Sequence, residues 1–157
     1  MIELEPMTQD EFQIYLDRAV PEYAQEKVRS GNWDASIAVK KAKEEYEKLL
    51  PDGLSSPDHY LFTVQNSETG DRVGMVWFSV MNQRQQPIAF IFDLYIEPAH
   101  RRKGYGRQTM LAIEEKVKAL HIHQIGLHVF AHNHEARALY QRLGFVETNI
   151  NMKKELS

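Results

Sequence analysis

Apolar residues recur along this chain with two different periods, and the change of period divides it into elements. Phe12, Tyr15, Leu16 and Ala19 share one face of a helix that opens at Thr8 and Glu11, a T-x-x-E capping box. Ile2 to Glu5 precedes it as a short strand. Pro21 has no amide hydrogen to give to a helical ladder, so a kink or a restart is expected there. Asp34 is expected to cap a second helix with Ile37, Ala38, Ala42, Tyr46 and Leu49 inward, stopped by Pro51-Asp52-Gly53.

From Tyr60 the period shortens. Tyr60 to Gln65 and Val73 to Met81 read as strands joined by a hairpin turn over Asn66 to Asp71. Asn82 to Pro87 is expected to be a loop, and Ile88 to Ile96, mostly β-branched or aromatic, a central strand. Met110, Ile113, Val117 and Leu120 return to helical spacing. Ile125 to Phe130 predicts another strand. Asn133 is expected to cap a last helix with Ala136, Leu139, Tyr140 and Leu143 on one face, and Gly144 to end it. Phe145 onward is expected to form one or two closing strands. The order β-α-α-β-β-β-α-β-α-β predicts one α/β (α+β) domain over residues 1–157: a mixed, mostly antiparallel sheet of six to seven strands, with helices on both faces.

Composition narrows the function classes. Of 157 residues 43% are apolar and 26% charged, an ordinary globular balance. The absence of cysteine removes disulfides, thiolate metal cages and a cysteine-borne covalent intermediate. The net charge of −3 argues against a nucleic-acid partner. Residues 1–60 carry 13 acidic and 7 basic side chains, net −6, and residues 61–157 carry 9 and 12, net +3. The two halves either face ligands of opposite sign or simply carry solvated helix faces. The longest apolar stretch, Val73 to Met81, is too short to span a bilayer, so no membrane partner is expected. The first residues lack the basic and apolar regions of a signal peptide, so a cytoplasmic location is expected.

Candidate chemistry begins at Arg101-Arg102-Lys103-Gly104-Tyr105-Gly106, between a strand and a helix start. The first amides of a helix have no internal partner, and the helix dipole adds positive charge. Glycines let the backbone approach an oxygen cluster, and Arg101, Arg102, Lys103 and Arg107 add charge. The expected guest is a pyrophosphate. GxGxxG is absent, because residue 109 is Thr, and GxxxxGK[ST] does not occur, which disfavours a Rossmann domain or a P-loop NTPase.

A second cluster follows: LHVFAHN at 127–133, then EARALYQRLGF at 135–145. Here the sequence resembles the GCN5-related N-acetyltransferase (GNAT) superfamily. That family's [RQ]-x-x-G-x-[GA] matches Arg101, Gly104 and Gly106, and its N-x-x-A-x-x-L-Y-x-x-x-G-F matches Asn133, Ala136, Leu139, Tyr140, Gly144 and Phe145. Asp93-Leu94-Tyr95-Ile96-x-Pro98 matches its usual fourth-strand ending. The resemblance is tight over 88–146, the expected cofactor-binding and catalytic core, and only topological over 1–87. It implies an acetyl-CoA-dependent N-acetyltransferase, with acetyl-CoA as co-substrate. The backbone of Leu94, Tyr95 and Ile96 would receive the pantetheine arm, and the amides from Arg102 through Lys103, Gly104, Tyr105 and Gly106 to Arg107 the pyrophosphate. Asn133 would bond near the pantetheine, and Tyr140 would sit by the sulfur. A backbone amide between Leu94 and Ile96, freed by a bulge where two strands splay, would meet the thioester carbonyl.

Acetyl transfer needs a neutral amine, a polarised carbonyl and a proton for the leaving thiolate. The Tyr140 phenol is protonated at neutral pH and suits the last task, against the competing reading of a core tyrosine. Three groups compete for the base: Asp93, then His128, then Glu97. A surface carboxylate or a packed histidine is the alternative reading of each, and Asp93 could instead bind an ammonium group. Positions that hold a base in other family members correspond to Phe90 and Phe92, so a water chain is a further route. With no cysteine, and no partner assignable to Ser79, direct transfer in a ternary complex is expected. His134-Glu135 begins HExxH but residue 138 is Ala, so no metal site is expected. Glu22, Tyr23, Glu26, Trp33, Asp34 and Tyr46 suit a cationic amine acceptor, a small polyamine-like molecule or a peptide amine. A non-catalytic acyl-CoA-binding module is the rival reading, and a homodimer is left open.

Overall fold

A computed structural model describes residues 1–157. The elements run β1 (Ile2–Pro6), α1 (Gln9–Arg29), α2 (Ala38–Leu49), β2 (His59–Asn66), β3 (Arg72–Gln83), β4 (Gln86–Ile96), α3 (Tyr105–Ala119), β5 (Ile125–Leu127) and α4 (His134–Arg142), with single 3-10 turns at Gly53–Ser55 and Pro98–His100. The five strands form one mixed sheet in the order β1-β2-β3-β4-β5. The first four pair antiparallel, and β5 joins β4 in parallel.

Strand alternation sends successive side chains of β3 to opposite faces. Val76 and Phe78 join Val64, Ala89 and Ile91 against Met110, Ile113 and Val117 of α3. Met75 and Trp77 join Leu61 against Phe12, Tyr15 and Ala19 of α1. Helices therefore cover both faces, as the pattern predicts. α2 lies on α1 through Ala24, Ala38 and Ala42, all buried, so the two helices approach closely.

The structure corrects several expectations. α1 runs through Pro21 without a restart; its N-terminus carries the expected capping box, and its second half is held by buried Ala24. α2 starts at Ala38, so Asp34 lies in the preceding turn and Ile37 is 42% exposed. The loop expected over Asn82–Pro87 is a tight turn, with Arg84 and Gln85 both at positive φ (50° and 65°), and β3 and β4 extend to meet at Gln83 and Gln86. That backbone twist matches a two-residue hairpin. Asn133 precedes α4 but its side chain makes no capping bond. The sheet has five strands, not six or seven, and no strand follows Phe145. β5 pairs over only three residues, which leaves a following segment little edge to extend; Val146, Ile150 and Met152 are exposed. No helix is long and apolar enough to cross a membrane.

Candidate active site

The site begins with an irregularity in the central strand. Trp77 faces Asp93 across the β3–β4 ladder, but the next residue, Phe78, faces Ile91, so Phe92 is an extra residue on β4. This is a β-bulge, which unpairs one residue and bends the strand. On the other side, β5 pairs with β4 only from Ala89 to Ile91. From Phe92 to Ile96 the outer edge of β4 has no strand partner, and a cleft of about 1060 Å³ opens beside it. α1, α2, β4, the β5–α4 connection and α4 all line it, and Asp93, Leu94, Tyr95, Ile96, His128, Asn133 and Tyr140 are among its walls.

Asp93 is half-buried and meets α1, where the Tyr15 hydroxyl donates to its Oδ2 at 2.8 Å. Burial raises the Asp93 carboxyl above its ordinary range, although the Tyr15 bond and the Arg18 charge pull the other way. Tyr140 is half-buried on α4, its ring 5.6 Å from that of Phe145. Burial, then the negative charge of Asp93, pushes its phenol up to about 12. It is therefore protonated across the neutral range and available as a donor. His128 is exposed at the rim, its imidazole lowered by desolvation and then by Lys27, which favours the neutral ring. Glu97 is exposed and contributes nothing to the cleft wall.

The anion side is built at the head of α3. Gly104 precedes the helix at φ 81°, a left-handed conformation that glycine adopts without a Cβ clash. The amides of Arg102, Lys103 and Gly104 meet no backbone acceptor, and the helix start has no side-chain cap, so these donors suit an anionic group such as the pyrophosphate of acetyl-CoA. The cations are partly committed elsewhere. Arg101 Nε donates to the Ile96 carbonyl at 2.7 Å, which ties the loop to the end of β4, and Arg102 pairs with Glu135 of α4. Tyr105 turns its hydroxyl to the β2–β3 turn, where it accepts from Asn66 Nδ2 at 2.9 Å. Gly106 has a packing reason: a Cβ there would lie 3.3 Å from Leu139 Cδ2, so α3 and α4 meet at this glycine. The Asn133 side chain has no protein partner and lies on the cleft.

The opposite wall is acidic and aromatic. Glu22, Tyr23, Glu26 and Tyr46 line it as the sequence suggested, while Trp33 and Asp34 stand outside. Sequence reasoning missed Tyr15, Arg18, Glu45 and Trp77. Of these only Arg18 left a readable signal, its i,i+4 relation to Glu22, realised as a 2.8 Å ion pair. Arg18 also stacks over the Tyr95 ring, 3.5 Å from its centroid. Glu26 contacts His132, so α1 and the β5–α4 connection touch across the cleft mouth.

The profile of the Acetyltransferase (GNAT) family matches residues 21–145. The chain belongs to this family. The uncharacterized N-acetyltransferase YycN of Bacillus subtilis (strain 168) is 39% identical over 155 residues, 99% of each chain. The crystal structure of YycN superposes with a TM-score of 0.93, at 38% identity, covering 100% of this chain and 99% of that one. The spermidine N(1)-acetyltransferase of Vibrio cholerae is 29% identical over 105 residues, 66% of this chain and 59% of that protein. As a GNAT member the protein is an acetyl-CoA-dependent N-acetyltransferase.

Proposed function

We propose that this GNAT protein transfers the acetyl group of acetyl-CoA to a primary amine by direct attack in a ternary complex. The observation that carries the proposal is that Asp93 and Tyr140 line one cleft, beside the unpaired edge of β4. The bound ammonium gives a proton to the Asp93 carboxylate, the neutral nitrogen attacks the thioester carbon, and the carbon–sulfur bond breaks. Tyr140 donates its phenolic proton to the departing thiolate. As the intermediate collapses, the second proton of the attacking nitrogen restores the Tyr140 phenol and solvent takes the proton from Asp93, so the acetamide, free CoA and one proton are released. Amides between Leu94 and Ile96 polarise the carbonyl, and those from Arg102 to Arg107 hold the pyrophosphate.

The two side chains support each other. The charge of Asp93 is one of the causes that raise Tyr140. Once Asp93 takes the amine proton that charge disappears, and Tyr140 becomes a better acid as the thiolate forms. His128 at the rim is the second candidate for the base, and Glu97 the third.

An amine acceptor is supported by Glu22, Glu26, Glu45 and Asp93, which line the cleft together with Tyr23, Tyr46 and Trp77. A relative that acetylates spermidine agrees with this choice. A thiol-release assay with acetyl-CoA against amines, peptides and anionic acceptors tests it. Turnover is expected with amines, and turnover only with anionic acceptors overturns it.

A further inference from the structure

Tyr15 lies on the buried face of α1, only 4% exposed, so it cannot touch a substrate in the cleft. Phenylalanine would fill the same apolar cluster with Phe12, Leu61 and Trp77. A buried hydroxyl costs stability unless it is bonded, and this one donates to Asp93 Oδ2 at 2.8 Å, with the Tyr46 hydroxyl as its other hydrogen-bonding neighbour. Tyr46 of α2 packs behind it, ring centroids 6.5 Å apart at 56°, and itself rests on Trp77 at 5.7 Å and Tyr23 at 5.8 Å.

We infer that Tyr15, with Tyr46 behind it, is a positioning residue that fixes the Asp93 carboxylate by one oxygen and leaves the other for the amine proton. The inference rests on the reading of Asp93 as the proton acceptor. The other groups facing Asp93 cannot do this alone. From α1, Arg18 is already paired with Glu22 and stacked on Tyr95. Glu22 repels the carboxylate. From α4, Tyr140 is the proposed acid, and from β4 itself the Leu94 amide is the remaining donor. Tyr15 stays neutral because burial and the Asp93 charge hold its phenol well above the ordinary value, so it is a donor at every working pH. A donor to the charged form favours that form, so Tyr15 keeps Asp93 ionised to lower pH than burial alone would allow.

The test is a carbon-13 titration of the aspartate carboxyls in the full chain, with the Asp93 signal assigned by Asp93→Asn. Tyr15→Phe is expected to move the Asp93 midpoint up by about half to one pH unit. Tyr46→Phe is expected to move it less, in the same direction, and supplies the answer if Tyr15→Phe does not fold. In a thiol-release assay Tyr15→Phe should lower kcat by about tenfold with KM for acetyl-CoA unchanged. A purely structural Tyr15 would lower thermal stability and leave the midpoint in place, and that outcome overturns the inference. If instead Asp93→Asn turns over at the parent rate, it is the base assignment that fails.

Discussion

Trp77 stands opposite Asp93 in the sheet, while its neighbour Phe78 stands opposite Ile91. In an unbroken strand Asp93 would share the face of Ala89 and Ile91, which is the apolar core under α3. The extra residue, Phe92, resets the alternation. Phe92 stacks on Trp77 at 4.6 Å, Asp93 turns to Tyr15, and Leu94 takes over the α3 side. One bulge thus puts a carboxylate into the cleft and keeps it out of the core.

Gly74 marks how tightly this end of β4 is held. A Cβ there would lie 2.1 Å from the Tyr95 carbonyl oxygen and 3.0 Å from Ile96 Cδ1. Gly74→Ala must push the Leu94–Ile96 segment away from β3. A loss of about 2–4 kcal/mol in chemical denaturation is expected, together with weaker acetyl-CoA binding by calorimetry. A variant with parent stability would show that this strand end yields freely.

Gly106 and Leu139 should couple. Gly106→Ala brings a methyl to 3.3 Å from Leu139 Cδ2, so the Leu139 side chain, one position before Tyr140 on α4, must give way. The single variant is expected to weaken CoA binding several-fold, roughly 1 kcal/mol, and Leu139→Ala in the same chain should recover part of it. Additive losses in the double-mutant cycle would place the two residues in separate roles.

Tyr140→Phe removes the proton donor but little volume. Turnover is expected to fall by about tenfold or more, with calorimetric affinity for acetyl-CoA and the melting temperature close to the parent's. Undiminished steady-state turnover would take Tyr140 out of the mechanism.

Asp93 should cost stability at neutral pH. Its folded-state carboxyl is raised above the ordinary value, first by desolvation, so the folded chain binds this proton more tightly than the unfolded chain does. The ionised group is therefore destabilising at pH 7, and the penalty fades as pH falls through the raised value. Asp93→Asn, which can still accept from Tyr15, is expected to melt higher than the parent at pH 7. The gap should close as the buffer is made acidic, and a constant gap in melting scans contradicts the assignment.

Where neighbours in sequence settle the structure, the pattern mostly read correctly, the caps expected from Asp34 and Asn133 excepted. Thr8 and Glu11 form their capping box, Met110, Ile113 and Val117 bury one face of α3, and Gly144 ends α4 at φ 95°. Where a distant partner decides, it did not. Pro21 predicts a break, yet buried Ala24 and the α2 contact carry α1 onward. The apolar residues after Phe145 predict strands, yet a strand needs an edge, and β5 offers three residues. Asp93, Tyr140 and Asn133 were legible as candidates because they sit inside two motifs. Tyr15 was legible only as a core residue, since nothing near it in sequence reveals a carboxylate 78 positions away.

By itself the sequence determined the order of most elements, the amide-rich turn between β4 and α3, and the tyrosine on α4, because each depends on spacing within a few residues. The tertiary structure decided which way Asp93 points, which phenol holds it, and where β4 is left without a neighbour. Those depend on the register between strands and on side chains brought together from α1, α2 and α4. Local periodicity gives a side chain's direction only until a bulge reverses it, and the bulge exists only once β3 and β4 have paired.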